Sequence, residues 1–439
     1  MTDAARSHPL ATIDRCFLAY ELERPAAYLQ IGGAAHMSGP SPGLDFLREH
    51  VRGRLEQLPV LGQRITGSGP GATWEADPGC DLTRHVRQLR VVQGPRAASE
   101  AVGLLRTLPL PADAPPWDLW LVHGYAEEEY LLCYRVHHAA QDGLAAIRTI
   151  AALFSPRPLA TASAASRPAR GTRRAGPRDV LRLAAAVGAD LLPTSPWWAA
   201  RHPRSGQQLL STGHVPRRLM ADVGSAVGGG VNDVYLAALA ATLRRWVPTD
   251  IASAPPRRAL HAMVPVSTRA LGEPGAARNQ FGLARIPLPW HEASPLRRLR
   301  QIVDHDSEVL TVRGRRTSRA LFDRLGPGAM LGMMKLLSNP GYAPLIASHV
   351  PFPHQLVLGD SEAVAVIPHM HLPDRHPLSV CLCTYRDTAQ VAFVADRALP
   401  GAEQLGRLWA EEVLLLARET GVTVQDRGRL RPTCVRPGS

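Results

Sequence analysis

The segment from Glu129 to Leu153 constrains this chain more than any other. EYLLCYRVHH, Glu129 to His138, reads as a β-strand ending in polar residues, and a helix follows from Asp142, which can cap it, through Leu144, Ile147 and Ile150 to Leu153. A strand that feeds an amphipathic helix within a few residues is a unit of α/β and α+β folds. At the junction stand His137-His138-Ala139-Ala140-Gln141-Asp142-Gly143. In 439 residues with 17 His, 21 Asp and 37 Gly, the pattern HHxxxDG arises by chance only about 0.003 times.

The chemistry of that pattern is coherent. A histidine at a strand end is held by the sheet while its ring reaches into a cleft, and a neutral imidazole near pH 7 can take a proton from an alcohol or amine. Adjacent strand residues point to opposite faces, so His137 and His138 are expected to divide the work, one facing the cleft and the other the interior. Asp142 is then free to orient the loop through a buried ion pair or a cap, and Gly143 permits a tight turn into the helix.

The rest of the chain repeats the mixed pattern. Leu47, Val51, Leu55 and Leu58 have the spacing of one helical face, with Asp45 near the start and Pro59 at the stop. Asn232 caps a helix whose Leu236, Leu239, Leu243 and Trp246 share a face, and Ser294 and Pro295 open another through Leu296, Leu299, Ile302 and Leu310. LSVCLCTY and AQVAFVAD, joined by Arg386 to Thr388, form a β-hairpin, and Glu403 to Thr420 is an amphipathic helix. Between Ser155 and Arg178 the composition shifts to Pro, Ala, Ser and Arg, with six arginines and no acid, which marks a linker or surface loop. The expected organisation is a first lobe over 1–155, a linker over 156–205 and a second lobe over 206–439. A chain of this length supports two domain-sized cores, and no period of 20–50 residues repeats.

Composition narrows the function classes. The longest apolar stretches, such as Val234 to Leu243, fall short of the ~18–20 consecutive apolar residues of a membrane-spanning helix. The start, MTDAARSHPLATIDR, lacks a secretory h-region, so a cytoplasmic protein is expected. Six cysteines without a CxxC pair make neither a disulfide nor a zinc framework, and Cys381 and Cys383 read as strand residues on one face. No metal site and no cofactor are expected; His369, His371 and His376 in PHMHLPDRH lack a metal spacing and read as a surface loop. The net charge of +12, with Lys335 the sole lysine, favours anionic partners: a phosphorylated substrate, an anionic lipid surface or an acidic carrier protein. Nucleic acid is not expected, because no zinc finger or aromatic RNA-binding signature accompanies the charge.

At this point the sequence resembles the bacterial wax ester synthase/acyl-CoA:diacylglycerol acyltransferases, within the HHxxxDG superfamily that includes chloramphenicol acetyltransferase and the condensation domains of peptide synthetases. LATIDRCFLAYE is similar to the family's opening motif, YLQIGGAAHMSG to its first strand, and PPWDLWLVHG to its PLW segment. GGGVNDVYLAALAATLRRW is close to its ND motif, MVPVSTR to its PVS-R strand, and RNQFGLARIPLP to its Asn-containing loop. Motif order agrees along nearly the whole chain.

The resemblance implies two chloramphenicol-acetyltransferase-like lobes, an α/β (α+β) fold, with a central tunnel between them. It implies an O-acyltransferase that moves a fatty acyl group from acyl-CoA, or a carrier-bound thioester, to a long-chain alcohol or diacylglycerol, in the cytoplasm or peripherally on the inner membrane face or a lipid-droplet surface. The rival reading is a stand-alone condensation-type acyltransferase of specialised metabolism that uses a carrier-protein or CoA thioester and a small alcohol or amine. His138 would be the general base, with His137, Asp142 and Gly143 shaping its loop. Asn279 and Ser267 are candidate oxyanion donors, and Asn232 is a candidate donor or a helix cap. Asp233 and Arg269 could support the loop electrostatically, Arg269 being one of several arginines that could pair with Asp142. Two departures stand out: PPW in place of PLW, and Ser348-His349-Val350-Pro351-Phe352-Pro353 in place of SNVPGP, where Phe352 could narrow a substrate channel. The stretch from Met330 to Tyr342, rich in methionine, suits either ordinary core or an adaptable channel wall.

Overall fold

A computed structural model describes residues 7–24, 29–92, 94, 97–156, 197–246, 260–267, 269, 278–309, 328, 331–332, 335, 339–373 and 376–423. In chain order the first half holds β1 (His8–Pro9), α1 (Thr12–Glu23), β2 (Gln30–Ser38), α2 (Leu44–Leu55), β3 (Gln63–Thr66), β4 (Thr73–Ala76), α3 (Leu82–His85), β5 (Val86–Arg90), α4 (Ala97–Leu105), β6 (Trp117–His123), β7 (Glu129–His137) and α5 (Gly143–Phe154). The second half holds α6 (Trp198–Arg201), β8 (Gln208–Pro216), α7 (Arg217–Ser225), α8 (Val231–Trp246), β9 (Leu260–Ser267), β10 (Phe281–Leu288), α9 (Pro295–Val309), β11 (Leu345–Phe352), β12 (Val357–Leu358), β13 (Ser361–His369), β14 (Leu378–Tyr385), β15 (Thr388–Asp396) and α10 (Leu405–Glu419).

Two six-stranded sheets organise two lobes. The first has the order β12-β13-β2-β7-β6-β5, antiparallel except for the β5–β6 pair. The second runs β10-β9-β11-β14-β15-β8, with β11 parallel to both of its neighbours. β12 and β13 cross the boundary expected at residue 206. Left unpaired, the outer edge of β2 would present a row of open backbone groups, and β13 covers it from Gly32 to Ser38. At the other end of the linker, Trp197 and Ala199 already pack into the core of the second lobe. Most of the linker, and most of the methionine-rich stretch, lie outside the described residues.

The hairpin shows why its strands read as continuous apolar runs. Val380, Leu382, Val391 and Phe393 face the second-lobe core, while Cys381, Ala392 and Val394 turn the other way and meet Met370 and Leu372. Those two residues follow β13, so this small cluster is a seam between the lobes. Both faces of the strands are covered, as in buried sheets. Arg386 takes the left-handed backbone at the turn, with φ 50°. The start of β2 needs glycine for space: a Cβ on Gly32 would lie 2.0 Å from the Tyr134 carbonyl oxygen across the sheet.

The helices follow their apolar spacing with small shifts at the ends. α2 buries Leu47 and Val51 and stops at Leu55, before the expected limit. In α8, Asn232 lies inside the first turn rather than at the cap; Asp233 reaches back instead and accepts from the Gly230 N–H at 2.7 Å. Among the described residues no helix is long and apolar enough to cross a membrane.

Candidate active site

The end of β7 is stitched from both sides. The His137 N–H donates to the Pro116 carbonyl at 2.9 Å and the His138 N–H to the Leu29 carbonyl at 2.8 Å. Beyond it the Gln141 side chain, fully buried, accepts from the Tyr134 hydroxyl at 2.9 Å and donates to Thr149 Oγ1 at 2.7 Å. The loop that carries the histidines is therefore tied to the sheet before it and to α5 after it.

The two rings do not turn to opposite sides. β7 ends at His137, strand alternation ends with it, and both imidazoles meet α1 one helical turn apart. His138 stacks on Phe17 with ring centroids 4.1 Å apart, and His137 Nε2 lies 2.9 Å from Glu21 Oε2. The Ala139 N–H donates to His137 Nδ1 at 3.0 Å, so the ring hydrogen sits on Nε2 and is donated to Glu21. Burial works to raise the Glu21 pKa, yet the hydrogen bond and electrostatic pull of His137 outweigh it and hold the carboxyl below its ordinary value. His137 is thereby a fixed structural partner, with both nitrogens engaged.

His138 is left differently equipped. Phe281 lies 5.8 Å from its ring on another side, and its Nδ1 is shut off from solvent. Burial pushes its pKa down to about 4, against the pull of its own carbonyl, Asp142 and Asn279. The ring is neutral at physiological pH and keeps part of its surface open, which are the properties of a base awaiting a substrate.

Asp142 is the most heavily bonded group of the loop. Its carboxylate caps α5 by accepting from the Ala145 N–H at 2.9 Å and takes the Gln280 N–H at 2.7 Å. Arg269 meets it through two nitrogens, each at 2.9 Å, while also donating to the carbonyls of Arg278 and Gln280. Both ion-pair partners are nearly inaccessible to solvent, where removing one costs ~3–5 kcal/mol. Gly143 opens α5 without a positive φ, so no left-handed turn is needed there; Asp142 makes the transition by capping.

The second lobe grips the loop at one more point. Asn279 Nδ2 donates to the His138 carbonyl at 2.7 Å, to Asp14 Oδ1 at 2.9 Å and to the Ala139 carbonyl at 3.2 Å. Its amide hydrogens are engaged within the protein, which makes it a clamp on the histidine backbone rather than a free oxyanion donor. Asp14 anchors that clamp and also accepts from the Ala11 N–H at 3.3 Å, which closes the start of α1. Burial raises the Asp14 pKa to about 6 despite Asn279 and Arg278. Ser267 ends β9, paired with Phe281, and its Oγ accepts from the Arg269 N–H at 3.3 Å. Asn232 and Asp233 stand at the start of α8, where Asp233 is occupied by Gly230.

Sequence reasoning passed over Phe17, Glu21 and Gln280, and read His371 as part of a surface loop. Phe17 and Glu21 lie four apart in the opening motif, a helical spacing that places both on one face. His369 and His376 are buried, and His371 sits edge-on to His138 with ring centroids 5.4 Å apart. This segment is a wall of the site and not a surface loop. Phe352 is 3% exposed in the first-lobe core, T-shaped on Tyr385 at 5.6 Å, so it fills core space instead of narrowing a channel.

Comparison with known proteins identifies the family. Residues 10–195 match the wax ester synthase/diacylglycerol acyltransferase catalytic domain, and residues 277–416 match the WS/DGAT C-terminal domain. A probable diacylglycerol O-acyltransferase of Mycobacterium tuberculosis is 27% identical over 438 residues, covering 91% of this chain and 93% of that protein. A wax ester synthase/diacylglycerol acyltransferase from Marinobacter aquaeolei VT8 superposes with a TM-score of 0.66 at 20% identity, covering 94% of this chain and 99% of the other. The first condensation domain of the calcium-dependent antibiotic synthetase shares the fold, with a TM-score of 0.65 at 17% identity over 95% of this chain and 97% of that one. With the two family domains in the expected order over most of the chain and a two-lobed fold shared with a solved relative, this chain belongs to the wax ester synthase/diacylglycerol acyltransferase family and is an acyltransferase.

Proposed function

We propose that this enzyme transfers a fatty acyl group from acyl-CoA to the hydroxyl of a long-chain alcohol or of diacylglycerol, with His138 as general base. The observation that carries the reading is the state of His138: a neutral, partly open imidazole, fixed through its backbone between Leu29 and Asn279 at the meeting of the two lobes. The acceptor O–H gives its proton to the ring, the oxygen attacks the thioester carbonyl, and the tetrahedral intermediate collapses. The proton then passes from His138 to the departing thiolate. No acyl-enzyme is required, because a base within ~2.6–3.2 Å of the hydroxyl activates it directly, and no cofactor enters; the thioester is substrate.

His137, Asp142, Arg269 and Asn279 act through position. They hold the loop so that the His138 ring need not reorganise during the reaction. The excess of positive charge, +12 over the chain, suits the phosphates of CoA and an anionic lipid surface, and supports peripheral contact with the inner membrane face or a lipid droplet.

The test is free-thiol release from palmitoyl-CoA with hexadecanol, with diacylglycerol and without acceptor. Acceptor-dependent release that yields the ester is the expected result. Silence from both acceptors in a folded protein, with turnover of a carrier-bound thioester, would overturn the acyl-CoA reading in favour of condensation-type chemistry.

A further inference from the structure

A tetrahedral intermediate of acyl transfer needs a hydrogen-bond donor for its negative oxygen. Asn279 is committed to Asp14 and to the carbonyls of His138 and Ala139. Asp233 is a carboxylate engaged at the start of α8. Ser267 lies at the end of β9 with its Oγ turned to the Arg269 N–H, whereas the His371 ring stands edge-on to the reacting base itself. We propose that His371 is a catalytic residue of this enzyme, donating its ring N–H to the oxyanion while His138 holds the transferred proton. The inference rests on the acyl-transfer reading with His138 as base.

The geometry carries it. The His371 and His138 rings meet edge-on at 5.4 Å between centroids, with 81° between their planes, close enough for both to reach one small group by hydrogen bonds of ~3 Å. Both rings lie deep in the protein and yet keep accessible surface, as groups lining an internal space do. Phe17 and Phe281 flank His138 elsewhere, so His371 is the polar ring among the aromatic groups packed around it.

The segment that presents His371 is pinned on both sides. Arg106 donates through Nη2 to the Met370 carbonyl and to Gln208 Oε1. Met370 and Leu372 are buried in the seam against Cys381, Ala392 and Val394. A ring between two such anchors is preorganised, and preorganised donors stabilise a developing charge most effectively.

The protonation state suits the task. Burial drives the His371 pKa well below its ordinary value, and Arg106 pushes the same way, as do His138, His376 and His137 whenever they are protonated. A neutral imidazole still carries one N–H, and it does not repel His138 when that ring becomes protonated. In the step itself the acceptor oxygen bonds to the carbonyl carbon, its proton moves to His138, and the carbonyl electron pair moves to oxygen beside His371. On collapse the C–S bond breaks and sulfur takes the proton from His138. His371 keeps its proton throughout.

The experiment compares wild type, His371→Phe and His371→Gln in the full chain, reading thiol release from palmitoyl-CoA with the better of hexadecanol and diacylglycerol, and following thermal unfolding in parallel. His371→Phe should lower kcat by ~10²–10³-fold, the usual loss of one oxyanion donor, with the thioester KM within ~3-fold of wild type. His371→Gln, which keeps an N–H donor, should recover about tenfold or more over Phe. If His371→Phe does not fold, His371→Ala with added imidazole replaces it, and restored kcat is the expected result. A folded His371→Phe within ~3-fold of wild-type kcat, a Gln variant no better than Phe, or an Ala variant that imidazole leaves unchanged would each overturn the role of His371 alone. A folded wild type that releases no thiol would instead overturn the acyl-transfer reading, and this role with it.

Discussion

Asp142 and His138 stand four residues apart in one loop and live in opposite surroundings. The Asp142 carboxylate receives hydrogen bonds from Ala145, Gln280 and both outer nitrogens of Arg269. The His138 ring is packed on aromatic faces, with Nδ1 shut off from solvent and its pKa pushed down by burial. The loop is held by the hydrogen bonds to Asp142 and to the backbone of His137, His138 and Ala139. The bonds at Asp142 fix the backbone, and burial at His138 keeps neutral the ring proposed as the base.

Substitutions that reverse this contrast should have graded effects. His138→Ala removes the reactive end: turnover should fall by ~10²–10⁴-fold, while thermal unfolding moves little. Asp142→Ala breaks the saturated end and strands Arg269, so denaturant unfolding should show a loss of ~3–5 kcal/mol, with activity falling as the loop loosens. Asn279→Ala leaves Asp14 and two carbonyls without their donor; a loss of ~1–3 kcal/mol in stability is expected, together with a lower kcat at unchanged thioester KM. Glu21→Gln is the mildest change, since a Gln oxygen can still accept from His137. Its cost should be about 0.5–1.5 kcal/mol by denaturant unfolding.

Asp14 sharpens the comparison through pH. Its folded pKa, raised to about 6, exceeds the ordinary ~3.9 of an unfolded Asp, so the folded state binds the proton more readily. The resulting stabilisation is fully present below about pH 4 and is lost as pH rises through about 6. The stability of wild type relative to Asp14→Asn should therefore fall across that window and level off above it.

Much of this was legible in the sequence, for identifiable reasons. The β7–α5 unit shows in the residues because its strand is apolar and its cap is an Asp. The hairpin β14–β15 shows because both its faces are buried. Asp142 stood out as an orienting group because its spacing from the histidines is local. Its pairing with Arg269 and the clamp at Asn279 depend on contacts across more than 120 residues, and nothing in local spacing singles out one arginine among many. The passage of β13 into the first sheet was hidden for the same reason, since it is dictated by the open edge of β2 far upstream. His371 was misread because a Pro- and His-rich stretch has the composition of a surface loop. Its burial comes from Met370 and Leu372 entering the seam, a tertiary event with no periodic signature.

The most direct test of the central claim, that His138 works as a buried, neutral base, is the pH dependence of kcat/KM for the wild-type enzyme. With the His138 pKa near 4, the profile should be flat from about pH 5.5 to about pH 8 and fall only as pH approaches 4. A rising limb centred near the ordinary histidine value of about 6.5 would contradict the account.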